Sequence, residues 1–350
     1  MSGHVLLVRP DNEGDVLLAG PAVRAVAASA RRVTLLCGPR GEQAARLLPG
    51  VDDVVVWRHP WIDPEPPPVD RRDILGLVDR VAGARVDEAI VLTSFHQSPL
   101  PTALLLRMAG VAVIAAVSEY YPGSLLDVRH RVDDDVHEVE RSLSTVATLG
   151  YTLPPGDAGG LAVRRVGVAP AVFDGPYVVV HPGASAPARA WGPDRNAALA
   201  TALADQGRRV VVTGGPGERA LTARVAGPGR PGVVDLGGRT DMAALAEVLA
   251  GAEVVVVGNT GPAHLAAAVG TPVVSLYAPT VPAARWRPWG VPHELLHVDV
   301  PCAGCRARAC PVPGHPCLGG VGVTEVTAAV QRLASRRPAL AGTTPTWGAR

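Results

Sequence analysis

Three turns in this sequence carry residue types suited to holding an anion. In AEVVVVGNTGPAHLAAAVG, residues 252–270, an apolar run ends at Gly258, a small polar turn of Asn259, Thr260 and Gly261 follows, and Pro262 opens a helical pattern. Proline suits a helix start, where its missing N–H costs nothing. The free amides and dipole of that helix start attract an anion, the dipole alone contributing roughly 0.3–1 kcal/mol. A diphosphate fits there, although an ordinary capped turn would read the same way. The stretch YVVVHPGASAPARAWGPD, 177–194, repeats the logic, with Arg189 in a polar loop between a strand and a helix led by Pro193. In VVVTGGPGERAL, 210–221, Glu218 opens another helix. It is either a ribose hydroxyl acceptor or a favourable charge on the helix dipole.

A fourth turn stands near the start. In VRPDNEGDVLLAGPAVRA, 8–25, Asp15 lies between an apolar strand and an apolar helix. By itself it reads as an N-cap or first-turn residue, with Gly14 permitting a tight backbone. In LTSFHQSPLP, 92–101, Ser94, His96 and Gln97 follow another strand and are either cleft-facing or a plain polar turn. The segment RHPWIDPEPPPVDRR, 58–72, also follows a strand, at the edge where open α/β sheets bind ligands; a surface connection is the alternative. The run RHRVDDDVHEVE, 129–140, reads as the start of a solvated helix face, and its carboxylates are given no catalytic role.

These turns need a frame. Short β-branched runs alternate with longer helical patterns throughout, the pattern of parallel sheets built from βαβ units. Strands are expected over 4–8, 33–37, 53–57, 87–93 and 111–117, then over 177–181, 209–213, 233–236, 253–257, 272–277 and 294–298. Helices are expected over 74–82, 101–109, 135–149, 194–206, 217–226, 241–250, 262–269 and 324–334, with Gly150 as a C-terminal cap. The Pro- and Gly-rich stretch 152–176 separates two Rossmann-like halves, 1–160 and 176–335, and 336–350 reads as a disordered tail. The fold class is therefore α/β.

The bulk composition narrows the function. With 33 basic and 32 acidic residues the net charge is +1, so nothing global points to nucleic acid or an anionic membrane. The basic residues are all arginine, so a phosphate must be met by arginine, histidine or backbone amides. The most apolar window, LLLRMAGVAVIAAV, contains Arg107 and Gly110 and is no membrane span; no signal peptide is visible, and a cytoplasmic protein is expected. Four of five cysteines crowd into CAGCRARACPVPGHPC as Cys302, Cys305, Cys310 and Cys317. Their spacing makes them a candidate structural metal site, zinc by default, with His315 as a substitute ligand and reduced thiols, occasionally disulfide-linked, as the alternative. Cys37 reads as a buried small hydrophobe.

The ordered set RPDNEGDVLLAGPAVRAV, HPGASAPARAW, TGGPGER and GNTGPAHLAAAVGTPVV resembles glycosyltransferase family 9, the lipopolysaccharide heptosyltransferases, over about residues 4–330. The resemblance implies a GT-B fold, with acceptor held by the N-terminal half and nucleotide sugar by the C-terminal half. It assigns Asp15 as general base of an inverting displacement, a role that contributes about 10²–10⁴-fold. It places Arg189 on the donor phosphates, Glu218 on the ribose and Thr240 at the base pocket. Asn259, Thr260, Gly261 and His264 fall on a motif that reads Asp-Thr-Gly with a histidine three residues on; Asn259 is the departure. ADP-heptose is the implied donor, and the acceptor is a glycan, a lipid-linked or a small molecule, at the inner membrane surface if lipid-linked. No divalent metal is implied for catalysis, though related autotransporter heptosyltransferases carry a four-cysteine iron site. A sugar-nucleotide epimerase of the same fold and a non-catalytic nucleotide-sugar-binding protein are the alternatives. A dehydrogenase is disfavoured, since RPDNEGD contains no G-x-G-x-x-G.

Overall fold

Valine- and leucine-rich runs that are apolar on both faces belong in sheets covered on both sides, and the computed structural model, which describes residues 2–133, 135–165, 167 and 172–335, builds two such sheets. In the first half the strands are β1 (Ser2–Arg9), β2 (Ala30–Cys37), β3 (Asp53–Val56), β4 (Glu88–Val91), β5 (Val113–Val117) and β6 (Val128–His130). In the second they are β7 (Val178–His181), β8 (Val210–Val212), β9 (Val233–Asp235), β10 (Val254–Gly258), β11 (Val273–Leu276) and β12 (His293–Leu296). All pairings are parallel. The orders are β3-β2-β1-β4-β5-β6 and β12-β11-β10-β7-β8-β9.

Both orders reverse beside the first strand of their half, at β1/β4 and at β7/β10. At such a switch point adjacent loops leave in opposite directions and open a crevice beyond the strand C-termini. The first crevice is walled by the segments after β1 and β4, the second by those after β7 and β10. Three of the four sequence motifs sit on the segments after β1, β7 and β10, and the fourth, TGGPGER, follows β8. Helix Glu13–Leu18 packs on helix Gly261–Ala268, and this contact turns the two crevices toward one another.

The segment between the halves is tied to both. Arg24 holds Asp157 through Nε at 2.6 Å, and Arg165 pairs with Glu247. On the first half Phe95 lies between the guanidinium groups of Arg141 and Arg285, 4.4 and 3.9 Å from its ring centroid, and edge-on to Trp286. His137 stacks on Trp289 at 4.4 Å, and its Nε2 donates to the Arg287 carbonyl at 3.0 Å. Cys37 is buried, and burial pushes its thiol pKa up to about 12. Among the described residues no helix is long and apolar enough to cross a membrane. The expected tail, 336–350, lies outside the described residues.

Two local expectations need correction. Strand β6 has no counterpart in the sequence reading, because three half-buried edge residues with Arg129 and His130 among them give no apolar run. The helix expected over 135–149 starts at Glu138, since His137 caps it: His137 Nδ1 accepts from the Val139 amide at 3.2 Å. Its first turn is also not the solvated face expected. Glu138 is fully buried, because Arg9, 129 residues away, reaches its carboxylate.

Candidate active site

Arg9 ends β1 inside the core with 1 % of its surface exposed, and so large a buried cation must have partners. It has four. Nη1 donates to Glu138 Oε2 at 2.8 Å, Nη2 donates to Asp15 Oδ1 at 3.0 Å and Ser94 Oγ at 2.9 Å, and Nε lies 3.0 Å from Asp11 Oδ2. Three carboxylates thus surround one guanidinium. Burial works against the charge on Arg9, but Glu138, Asp11 and Asp15 more than offset it and hold its pKa above the ordinary value. Burial pushes Asp11 up to about 7, with Arg9 opposing and Asp15 reinforcing the shift. Glu138 is also pushed up, again chiefly by burial.

Asp15 occupies the third position of helix Glu13–Leu18, whose N-cap is Asn12. It therefore sits in the first turn, as one sequence reading had it, and its carboxylate is held by Arg9 from the side. Ser94 and Gln97, from the segment after β4, complete the wall. The Ser94 amide donates to Gln97 Oε1 at 3.0 Å, and Gln97 Nε2 donates to Asp11 Oδ1.

The facing wall comes from the segments after β7 and β10. Arg189 ends the short 3-10 turn Pro187–Arg189, and its Nε is buried without a protein partner. A side chain at Gly258 would place its Cβ 2.5 Å from the Arg189 carbonyl, so glycine there lets the arginine turn lie against the end of β10. Gly258→Ala is expected to cost about 1–3 kcal/mol, as overpacking does, and to weaken the protein's affinity for inorganic pyrophosphate by shifting Arg189. Urea melts and calorimetric titration measure both; unchanged pyrophosphate affinity would show that the arginine is not placed by this contact.

Helix Gly261–Ala268 starts with fewer amides than the sequence reading expected. Pro262 supplies none, and the Ala263 N–H turns back onto the Thr260 carbonyl at 3.0 Å. An anion on this wall therefore rests more on Arg189. Asn259 explains its own departure from aspartate: Nδ2 donates to the Ala278 carbonyl at 3.1 Å while Oδ1 accepts from the Ala278 amide at 3.2 Å. A carboxylate has no donor for the first bond. His264 is buried, its Nδ1 has no protein partner, and burial lowers its pKa to about 4, which leaves the ring neutral beside the cleft. At the closest approach of the halves Gly14 meets Gly261, where a Cβ on Gly14 would lie 3.3 Å from the Gly261 Cα and 3.0 Å from the His264 ring.

Together the walls enclose a cleft of about 310 Å³ lined by Asp15, Ser94, His96, Gln97, Arg189, Asn259, Thr260, Gly261 and His264. His96 is exposed at the opening, and its pKa is lowered by partial burial and by Arg306. Glu218 and Thr240 are not among the lining residues. Glu218 Oε2 accepts from the Gly215 amide at 2.7 Å, and a Cβ on Gly183 would meet Glu218 Oε1 at 1.9 Å; the carboxylate joins the loops after β7 and β8. The cleft also holds residues that the sequence reading passed over, among them Asp11, His59, Asp63 and Arg306. Arg9, in the quoted motif, carried one usable signal: a charge directly after four apolar residues of a buried strand needs a buried partner.

Cys302, Cys305, Cys310 and Cys317 line one small pocket of about 30 Å³ together with His315. All four are free thiols, two exposed and one buried, and among the described residues no three His, Cys, Asp or Glu side chains draw together as metal ligands. As placed, the cysteines do not fit the zinc site their spacing suggested or the iron site the resemblance offered. Main-chain bonds hold the loop elsewhere: Gly304 donates to the Pro279 carbonyl, Arg306 to that of Thr280, and Ala188 to that of Arg308. The loop thereby supports the turn bearing Arg189 and delivers Arg306 to the cleft.

The model of glycosyltransferase family 9 (heptosyltransferase) matches residues 77–315. Lipopolysaccharide heptosyltransferase 1 of Pseudomonas aeruginosa is 28% identical over 335 residues, covering 88% of this chain and 87% of that protein. The structure of E. coli ADP-heptose lps heptosyltransferase II superposes with a TM-score of 0.74 at 18% identity, over 96% of this chain and 99% of that one. E. coli heptosyltransferase WaaC with ADP-2-deoxy-2-fluoro heptose gives 0.71 at 22% identity, over 94% and 99%. Two parallel six-stranded sheets meeting across a cleft are the GT-B architecture of these structures. With the family model covering most of its length, this chain belongs to glycosyltransferase family 9 and is a glycosyltransferase.

Proposed function

We propose that the protein transfers a heptose from ADP-heptose to a hydroxyl of an acceptor, with inversion at the anomeric carbon. The observation that carries the reading is that Asp15 and Arg189 line one cleft from opposite halves of the molecule. Residues 1–160 hold the acceptor and residues 176–335 the nucleotide sugar, with Glu218 and Thr240 meeting the nucleoside beyond the cleft. The acceptor oxygen attacks the anomeric carbon as the bond from that carbon to the diphosphate oxygen breaks. Asp15 takes the hydroxyl proton, and ADP leaves carrying the electron pair of the broken bond. A carboxylate so positioned acts by general-base catalysis, and Arg189 stabilises charge building on the departing diphosphate. That cation supplies the charge a metal would otherwise give, so the reading needs none. Donor names in related structures, ADP-2-deoxy-2-fluoro heptose among them, support ADP-heptose. The acceptor is a glycan, a lipid-linked sugar or a small molecule, met in the cytoplasm and, if lipid-linked, at the inner membrane surface.

Thermal shifts test the donor. A ligand that binds only the folded state stabilises it by about 2.7 kcal/mol at a hundredfold excess over Kd. ADP is expected to raise the melting temperature more than GDP or UDP at equal concentration. Stabilisation by GDP or UDP alone would overturn the ADP-heptose assignment.

A further inference from the structure

His59 lies in the segment after β3, between Trp57 and Trp61, with ring centroids 4.7 and 6.0 Å away in edge-on contact. It is 1 % exposed and lines the cleft beside Asp15 and Asp63. Its Nδ1 stands 3.0 Å from the Trp57 carbonyl oxygen, which can only accept, so Nδ1 carries the ring proton. Nε2 is then a bare lone pair, and it is buried without a protein partner. Burial among the tryptophans lowers the pKa of the ring to about 4, so this form persists at neutral pH. A buried polar atom left unpaired is costly, and in a cleft wall the missing partner is expected from a ligand.

The surroundings say which kind of ligand. The Asp63 amide donates to the His59 carbonyl at 3.0 Å, and the Asp63 carboxylate pairs with Arg58 at 3.2 Å, so ring and carboxylate are fixed in one turn. Three carboxylates, Asp11, Asp15 and Asp63, and a lone pair thus lie on the first-half wall, and all of them accept hydrogen bonds when the acids are ionised and the ring is neutral. Arg40 and Arg306 also line the cleft but are more exposed, Arg40 facing Glu65 at 3.9 Å.

We infer that His59 determines acceptor specificity: its Nε2 accepts a hydrogen bond from a hydroxyl of the acceptor, and with Asp15 and Asp63 it fits this wall to a neutral polyhydroxylated sugar and against an acidic one. The inference rests on the glycosyltransferase reading of the cleft and adds the class of sugar. An ionised acid brought to this wall would meet acceptors and bring no donor for them, whereas each hydroxyl of a neutral sugar brings a donor.

The test uses the full chain, saturated with ADP, and two probes: methyl α-D-mannopyranoside, which is neutral, and methyl α-D-glucuronide, which is acidic. Saturation-transfer NMR titrations are expected to show the mannoside binding more tightly. His59→Phe, which keeps an aromatic ring but offers no lone pair, is expected to weaken mannoside binding about tenfold, the size of one lost hydrogen bond to a buried acceptor. His59→Gln restores an acceptor and most of the affinity, and ADP affinity is the same in all three proteins. Long-range 1H–15N spectra at pH 7 are expected to show Nδ1 protonated and Nε2 bare. A glucuronide that binds as well as the mannoside, an unchanged His59→Phe variant, or an Nε2–H tautomer would each overturn the inference while normal ADP binding leaves the donor reading in place. Failure of the wild-type protein to bind ADP would instead sink the donor reading, and the mannoside titrations on the free protein would still decide for or against His59.

Discussion

On the proposed mechanism, Asp15→Asn is expected to lower transfer by a factor of about 10²–10⁴ while ADP binds as tightly as before. Asparagine keeps the shape of the side chain and removes its basicity. The carboxylate is 21 % exposed, enough to meet an acceptor hydroxyl, and Arg9 fixes it through Oδ1. Arg189, the cation proposed to meet the donor, stands on the facing wall. Single-turnover assays with ADP-heptose and an acceptor, set beside ADP titrations, separate chemistry from binding. Wild-type turnover in the variant would remove Asp15 as the base; loss of ADP affinity would mark it as structural.

Arg9→Met lowers folding stability by about 3–5 kcal/mol, the usual result of breaking a buried ion pair by removing one partner. The fully buried Glu138 and the nearly buried Asp11 lose the one cation that faces them both, and each must be protonated or drag in water. Arg9→Lys keeps the charge but cannot reach Glu138, Asp15, Asp11 and Ser94 from one flat group, so an intermediate loss is expected. Pairing Arg9→Met with Glu138→Leu recovers part of the stability, because two apolar side chains then replace the two buried charges. Urea denaturation of the four proteins measures the series, and a wild-type midpoint for Arg9→Met would show that the carboxylates do not depend on Arg9.

Much of the frame was legible because parallel strands covered on both faces read as plain apolar runs: VVVVG at β10 and VVV at β8 are buried throughout. Loop ends at the two switch points could be read too, since the turn residues there are punctuated by glycine and proline. What stayed hidden depends on partners that only the assembled fold supplies. Glu138 looks like one more acidic residue in DDDVHEVE until Arg9 arrives from β1. His59 looks like a loop histidine until Trp57 fixes its tautomer and the cleft forms beside it. The cysteine spacing suits a metal, yet among the described residues no three ligand side chains draw together, and the loop is held by main-chain bonds to Pro279 and Thr280 that no spacing encodes. Glu218 matched its motif in type and position, yet its nearest bonds are to its own turn.

The meeting of Gly14 with Gly261 works as a gauge. Asp15 follows the first glycine and Thr260 precedes the second, so the gap between the proposed proton acceptor and the proposed donor turn is set by two backbones pressed together, with no side chain between them to give. Rotamer changes elsewhere in the cleft can retune which sugars enter, but they leave this spacing alone. Variation in the cleft walls and constancy of the reaction distance are thereby assigned to different atoms: the first to side chains, the second to main chain.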